Sequence, residues 1–143
     1  MGSVQTIASM FLNANSFEGR NLSRWDTHSV TDMHNLFDGA VNFTGIIDGW
    51  NVSNVKNFGD MFHGTSNFNG NLSMWDTSNV EQMDAMFSYA YKFQGYGLSS
   101  WNTGNVKSMK ALFSSSYAFN GNISNWDTSN VEDMSEMVRN KQC

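Results

Sequence analysis

The hexapeptide WDTSNV occupies residues 75–80 and occurs again at 126–131. Close variants start at the other three tryptophans: WDTHSV at Trp25, WNVSNV at Trp50 and WNTGNV at Trp101. Successive tryptophans, at positions 25, 50, 75, 101 and 126, are therefore 25, 25, 26 and 25 residues apart. A period of roughly 20–50 residues is typical of repeat proteins, in which each unit covers the apolar side of the next.

The apolar residues of the chain fall into columns with the same period. Each repeat contributes a tryptophan, a valine five residues later, a methionine or phenylalanine three residues after that, and two positions that are mostly phenylalanine. Stacked repeats would bury these columns as ladders. The predicted core ladders are Trp25, Trp50, Trp75, Trp101 and Trp126; Val30, Val55, Val80, Val106 and Val131; Met33, Phe58, Met83, Met109 and Met134; Phe37, Phe62, Phe87, Phe113 and Val138; and Phe17, Phe43, Phe68, Phe93 and Phe119.

Within each repeat, the spacing after the hexapeptide predicts a short helix. From Val80, further apolar residues follow at i+3, i+6, i+7 and i+10 and end at Ala90, which is a helical stripe of about three turns. The residue before each valine is a preferred helix N-cap type: Ser29, Asn54, Asn79, Asn105 or Asn130. We therefore expect short helices that begin near Val30, Val55, Val80, Val106 and Val131.

The segment around each tryptophan predicts a short parallel strand. Leu72, Trp75 and Thr77 have the L-x-x-W-x-T spacing of the strand in leucine-rich repeats. We expect strands near residues 25–27, 50–52, 75–77, 101–103 and 126–128. One short strand and one short helix per 25-residue repeat predict an α/β, leucine-rich-repeat-like solenoid. A single solenoid domain would span residues 1–143, with a partial repeat at 7–24 and repeats at 25–49, 50–74, 75–100, 101–125 and 126–143.

Composition and charge disfavour several classes of partner. The formal net charge is −5, whereas a nucleic-acid or anionic-membrane ligand rewards basic patches. The sequence has no run of 18 apolar residues, so we expect no membrane insertion of this fragment. Residues 1–11 lack the pattern of a signal peptide. The single cysteine, Cys143, excludes an intramolecular disulfide and a cysteine-rich zinc site.

A polar residue, Asp or Asn, follows every tryptophan. If Trp75 and Thr77 point inward from a strand, Asp76 points outward, because neighbouring strand residues alternate. The five outward residues could form a recognition strip with the adjacent Met74 and Ser78, or weak divalent-cation sites. Alternatively, they bond to nearby backbone N–H groups and fix a turn. The candidate binding residues are Asp26, Asn51, Asp76, Asn102, Asp127, Met74 and Ser78.

No motif in the sequence predicts catalysis. The three histidines, His28, His34 and His63, occupy non-equivalent positions of the repeat, and the sequence lacks nucleophile-elbow, zinc-protease and P-loop motifs. We therefore expect no enzymatic activity, no cofactor and no dedicated metal site. The tryptophan ladder could serve as a stacking platform for sugars or bases, but tryptophans at fixed repeat positions are more often core.

The pattern W-D-T-S-N-V-x-x-M-x-x-M-F, followed by F-N-G-N-[LI]-S, resembles the repeat of BspA-like leucine-rich-repeat surface proteins. More narrowly, it resembles the branch found in bacterial surface lipoproteins. The resemblance covers residues 10–138 and departs from the pattern in the second repeat, where TGIIDGW replaces NGNLSMW. It implies a larger parent protein that is extracellular or at the cell surface and is implicated in adhesion.

The functional expectation is a non-catalytic cell-surface module that adheres to a protein or a glycan. One alternative is an architectural spacer or a self-assembling stalk without a ligand. A third is ice binding by the threonine column (Thr27, Val52, Thr77, Thr103 and Thr128), which the expected inward packing disfavours. Because neither end of the sequence carries a recognisable polar cap, we also expect end-to-end association between copies.

Overall fold

The computed structural model describes residues 3–139. Within that range, regular secondary structure consists of two 3-10 helices, Leu22–Arg24 and Leu98–Ser100. The same range contains no α-helix and no β-strand. The predicted α/β solenoid, with a short parallel strand and a short helix in each repeat, is therefore wrong. Cys143 lies outside the described residues.

Consecutive repeats are joined by isolated parallel bridges, each a single residue long. The bridged residues stand two positions after the valine of each repeat, and not at the tryptophans where strands were predicted. Each bridge uses the same column, so every repeat is bonded to the one before it and the one after it. The bridges are Thr6–Asp32, Asp32–Asn57, Asn57–Gln82, Gln82–Ser108 and Ser108–Asp133.

The segments predicted to be helical are instead rows of consecutive turns, which we call the turn segments (33–40, 58–65, 83–90 and 109–116). Within 58–65, the N–H groups of Met61, His63 and Thr65 donate to the carbonyl three residues earlier, at 3.1 Å. The intervening N–H groups, from Phe58 to Gly64, donate to carbonyls of the next repeat at 2.8–2.9 Å. Alternate amides thus close turns and stack repeats, whereas every amide of an α-helix bonds within the helix.

Left-handed residues at two positions of each turn segment prevent helix formation. The first position is held by Asn35, Asp60, Ala85 and Ala111, with φ between 50 and 54°. The second is held by Gly39, Gly64, Tyr89 and Ser115, with φ between 56 and 70°. An L-residue in this region ends a right-handed helix. Because successive turns also point a side chain inward at every third or fourth residue, they produce the same apolar spacing as a helix.

Side chains, and not strand pairing, connect the repeats at the hexapeptide. The hydroxyls of Thr27, Thr77 and Thr103 each donate to a carbonyl of the following repeat at 2.9 Å. The indole N–H groups of Trp50, Trp75, Trp101 and Trp126 donate to carbonyls 28 or 29 residues earlier in the chain, at 2.8–3.1 Å. The predicted strands at these tryptophans are wrong because their inter-repeat hydrogen bonds come from side chains.

The asparagines predicted as helix N-caps also bond between repeats. The side-chain amide of Asn79 donates to the Ser53 carbonyl at 2.7 Å, and that of Asn105 donates to the Ser78 carbonyl at 2.6 Å. Asn54 and Asn130 make the equivalent bonds to the preceding repeat. An asparagine therefore fits this position because its amide is a donor, whereas an N-cap side chain would accept.

The predicted ladders form the core of the stack. Phenylalanine rings pair within a repeat, as in Phe62 and Phe68 at 4.3 Å, and stack between repeats, as in Phe62 and Phe87 at 5.5 Å. Trp50, Trp75 and Trp101 are buried, as are the valine and methionine columns of the central repeats. The outer repeats are more open: 37% of Trp25 is exposed, and Trp126 is half-buried.

Candidate functional site

The five outward Asp and Asn residues make one repeated local contact. In each case the side-chain Oδ1 accepts a hydrogen bond from the backbone N–H two residues later, at 2.9–3.3 Å. All five side chains are exposed. They therefore fix the turn after each tryptophan, which is the structural role that the sequence left open. The residues are Asp26, Asn51, Asp76, Asn102 and Asp127.

These hydrogen bonds also keep the carboxylates ionised. The hydroxyl and the backbone N–H of Ser78 lower the pKa of Asp76, and Ser129 lowers the pKa of Asp127 in the same way. The side chain and the backbone N–H of His28 lower the pKa of Asp26. Hydrogen bonds to the charged form stabilise it. The outward row is therefore an anionic row, interrupted by the neutral Asn51 and Asn102.

Alternation of Asp and Asn along the row reduces repulsion between carboxylates. Asn51 lies between Asp26 and Asp76, and Asn102 lies between Asp76 and Asp127, so the charged members are two repeats apart. At about 4.8 Å per rung, carboxylates in adjacent repeats would repel strongly, whereas two rungs place them about a Debye length apart. The described residues contain no group of three or more His, Cys, Asp or Glu that could hold a metal ion.

A groove beside the row brings three of the candidate binding residues together. Asn51, Met74 and Asp76 line it, and Asp48, Gly49, Trp50 and Val52 complete its wall. Its volume is about 350 Å³. The side chain of Met74 is 77% exposed, whereas a methionine usually packs in the core. An exposed apolar side chain next to two fixed polar groups gives this groove the composition of a binding surface.

The remaining candidate residues do not line this groove. Asp26 pairs with His28 at 2.7 Å in repeat 25–49, which precedes the repeat of Asn51. Ser78 is half-buried, donates its N–H to Asp76 and accepts from Asn105. Asn102 and Asp127 keep the same turn contact in later repeats. The predicted strip is therefore a row of turns, and the groove lies beside its second and third members, Asn51 and Asp76.

Two residues of this region were missed by sequence reasoning, Ile46 and Asp48. Asp48 lines both the groove and an adjoining depression of about 400 Å³ that also includes Ile46, Asn69 and Asn71. Ile46 is an exposed apolar residue, whereas the equivalent residue of other repeats is mostly polar. Both lie in the TGIIDGW segment. The departure of this segment from the repeat pattern was the sequence feature that could have identified both residues.

The threonine column and the tryptophan ladder, which the sequence disfavoured as binding surfaces, are internal in the central repeats. Thr27, Thr77 and Thr103 are buried and donate to neighbouring carbonyls, so they do not form the exposed row that ice binding would need. Trp50 and Trp75 are also buried and therefore do not offer a stacking platform. None of the helices in the described part of the chain has the length and apolar composition needed to span a membrane.

Comparison with known proteins identifies one family. A family described as "Mycoplasma protein of unknown function, DUF285" matches residues 5–96 and matches again at 73–142. The two matches overlap over residues 73–96, about one repeat. No curated protein and no solved structure shows significant similarity to the chain. Because the two matches together extend over most of the chain, this repeat protein belongs to the DUF285 family.

Proposed function

We propose that the chain is a non-catalytic binding module of a cell-surface protein and that it adheres to a protein or glycan ligand. The observation that carries the proposal is the groove formed by Asn51, Met74 and Asp76. The turn contacts hold Asn51 and Asp76 in fixed positions before any ligand arrives. Binding to such a site orders few side chains, which reduces the entropic cost of association.

Surface location rests on the resemblance of the repeat motif to that of BspA-like surface proteins. Membership of the DUF285 family is compatible with a repeat surface protein. The exposed surface is rich in Asn, Ser and Asp, and the net charge of −5 suits a soluble ectodomain. Adhesion is the role that a rigid array of this kind performs well, since a stack of repeats presents an extended surface.

The test is a binding array of glycans and extracellular-matrix proteins, probed with wild type and two matched variants. Asp76→Asn removes the charge but keeps the turn contact, as Asn51 and Asn102 show. Met74→Ser places at the groove the residue that the equivalent position, Ser100, already carries. We expect both variants to lose a ligand that wild type retains; Met74→Ser should keep the wild-type melting temperature, and Asp76→Asn should lose only the contribution of the ionised Asp76 carboxylate.

The control for this test is Asn125→Ser, because Asn125 occupies the same column as Met74 and does not line the groove. It should bind like wild type. The proposal would be contradicted if wild type retained no ligand on the array. It would also be contradicted if all three variants retained the ligand as well as wild type does. Loss of stability without loss of binding in Asp76→Ala would assign that residue to the turn alone.

An architectural spacer or self-assembling stalk is the second candidate. It is favoured by the engagement of all five outward Asp and Asn side chains in turns. In addition, Trp25, Met134 and Val138 of the outer repeats are exposed, and a flanking repeat or a second copy could cover them. Light scattering across a dilution series, with reductant present, tests self-association of this chain. A monodisperse monomer at high concentration would exclude the self-assembling form.

A further inference from the structure

Three tyrosines and a histidine form a compact exposed cluster, which we call the tyrosine surface (His63, Tyr89, Tyr91 and Tyr117). The ring of Tyr91 stacks on that of Tyr117 at 5.6 Å, with the ring planes 13° apart. Tyr89 meets both Tyr91 and His63 edge-on, at 6.3 and 5.5 Å. Tyr89, Tyr91 and Tyr117 are 45%, 43% and 53% exposed. None of these residues lines the groove of the proposed adhesion site.

Tyr89 adopts a backbone conformation that a tyrosine rarely takes. Its φ is 57°, and the equivalent residues Gly39, Gly64 and Ser115 have φ of 70°, 67° and 56°. A left-handed conformation suits glycine but is unfavourable for a bulky L-residue. All the turn segments impose this conformation at this position, so the fold sets it and not the tyrosine. Because Gly39, Gly64 and Ser115 fill the same position, the turn does not require the exposed ring of Tyr89.

The cluster does not complete the core. In the same repeats, the phenylalanine pairs Phe87–Phe93 and Phe113–Phe119 are already in contact at 4.0 and 3.8 Å. In earlier repeats the positions of Tyr89 and Tyr91 hold small residues, and their phenylalanine pairs are equally close. The tyrosine rings therefore shape the surface, and their removal leaves the packing of the interior intact.

We propose that the tyrosine surface is a second binding site and that its ligand is a neutral oligosaccharide. Aromatic rings offer apolar surface to the C–H groups of a sugar, and the phenol hydroxyls offer hydrogen bonds to its hydroxyl groups. His63, held by Asp38 at 2.7 Å, adds a fixed polar group at the edge of the cluster. The net charge of −5 opposes anionic glycans and nucleic acids.

The size of the surface favours a glycan over a protein ligand. A tyrosine presents roughly 200 Å², so three half-exposed tyrosines offer roughly 300 Å². A stable protein interface buries about 800 Å² on each side. The exposed surface of a few sugar rings matches the smaller area. This second site extends the function proposed above and does not depend on the groove.

The experiment is isothermal titration of the full chain with maltohexaose, cellohexaose and chitohexaose, which are neutral and differ in linkage and substituent. Two variants place at the site the residues of the preceding repeat: Tyr89→Gly, as in Gly64, and Tyr91→Ser, as in Ser66. We expect at least one oligosaccharide to bind wild type, and each variant to weaken that binding at least tenfold. Tyr89→Gly should melt no lower than wild type because it relieves the left-handed strain.

Matched controls separate this site from other surfaces. Tyr96→Asn removes an exposed tyrosine outside the cluster and should leave binding unchanged. Met74→Ser should also leave it unchanged, so failure of the groove proposal is distinguishable from failure here. Absence of binding by all three oligosaccharides at millimolar concentration would overturn the inference. Binding that the tyrosine variants do not weaken, or a protein ligand that they abolish, would overturn it as well.

Discussion

Replacement of Trp75 by alanine tests whether the tryptophan ladder stabilises the stack. Trp75 is almost completely buried, donates its indole N–H to the Ile47 carbonyl at 3.1 Å and stacks on Trp101 at 6.2 Å. The ring of Phe58 lies 5.3 Å from that of Trp75 and 6.5 Å from that of Trp101, so the three rings form one cluster. The substitution therefore removes both ring contacts and one of the two hydrogen bonds that the Ile47 carbonyl accepts, the other of which comes from the Trp50 backbone N–H.

The expected loss follows from this environment. A buried indole removes roughly 200 Å² from water, which corresponds to about 5 kcal/mol as an upper estimate. Truncation of buried aromatic residues lowers the free energy of unfolding by about 3–5 kcal/mol, so we expect about 4 kcal/mol for Trp75→Ala. Trp126 is half-buried and stacks on Trp101 from the outer side. We expect about half as much for Trp126→Ala, because it loses fewer packed neighbours.

Chemical denaturation by urea, followed by tryptophan fluorescence and circular dichroism, measures both changes. The denaturant slope must stay the same in each variant, because a changed slope would indicate partial unfolding of the array. Tyr96→Asn, an exposed substitution, serves as the control and should change stability by less than about 0.5 kcal/mol. Equal losses for Trp75→Ala and Trp126→Ala would refute the nearest-neighbour account of the ladder.

Two further predictions concern the polar contacts between and within repeats. Thr77→Val should lower the free energy of unfolding by about 1 kcal/mol in urea denaturation, because the Thr77 hydroxyl donates to the Asn102 carbonyl. The converse substitution, Val52→Thr, should raise the free energy of unfolding by a similar amount. An unchanged free energy of unfolding in both variants would contradict the role of the threonines. Because hydrogen bonds lower the pKa of Asp76 and Asp127, stability gained from these groups is present above their unfolded pKa and is lost as pH falls through the lowered value. Thermal melting from pH 6 to pH 2 should show this loss, and Asp76→Asn should reduce it; an unchanged acid profile in that variant would be the contrary result.

The sequence predicted which side chains form the core but not the backbone conformation that places them there. Val80, Met83 and Phe87 are buried as predicted, because their spacing defines an inward face. That spacing does not distinguish a helix from consecutive turns. The decisive residue is Ala85, whose φ is 50°. Alanine is a strong helix former with no intrinsic preference for a left-handed conformation. Only the hydrogen bonds to the neighbouring repeat select the left-handed conformation of Ala85, and these hydrogen bonds form only when the repeats stack.

The sequence also identified part of the candidate site. Met74 and Asp76 were assigned to the outside, and the structure places both in the groove. The turn-fixing bonds of Asp76 were among the alternatives because Asp commonly makes them. The sequence analysis missed the tyrosine surface, although Tyr91 and Tyr117 are 26 residues apart in one column and their stacking follows from the repeat. Only the edge-on contact of Tyr89 with Tyr91 depends on the geometry of the turn segments.

The most direct test of the stacked-turn architecture is a measurement of scalar couplings across backbone hydrogen bonds by nuclear magnetic resonance. The structure predicts a coupling between the amide nitrogen of Phe62 and the carbonyl carbon of Met86, one repeat away, since these groups bond at 2.9 Å. It also predicts a coupling from Met61 to the carbonyl of Phe58, three residues earlier. Couplings from Phe62 to Phe58 and from Met61 to Asn57, four residues earlier, would show an α-helix and contradict the account.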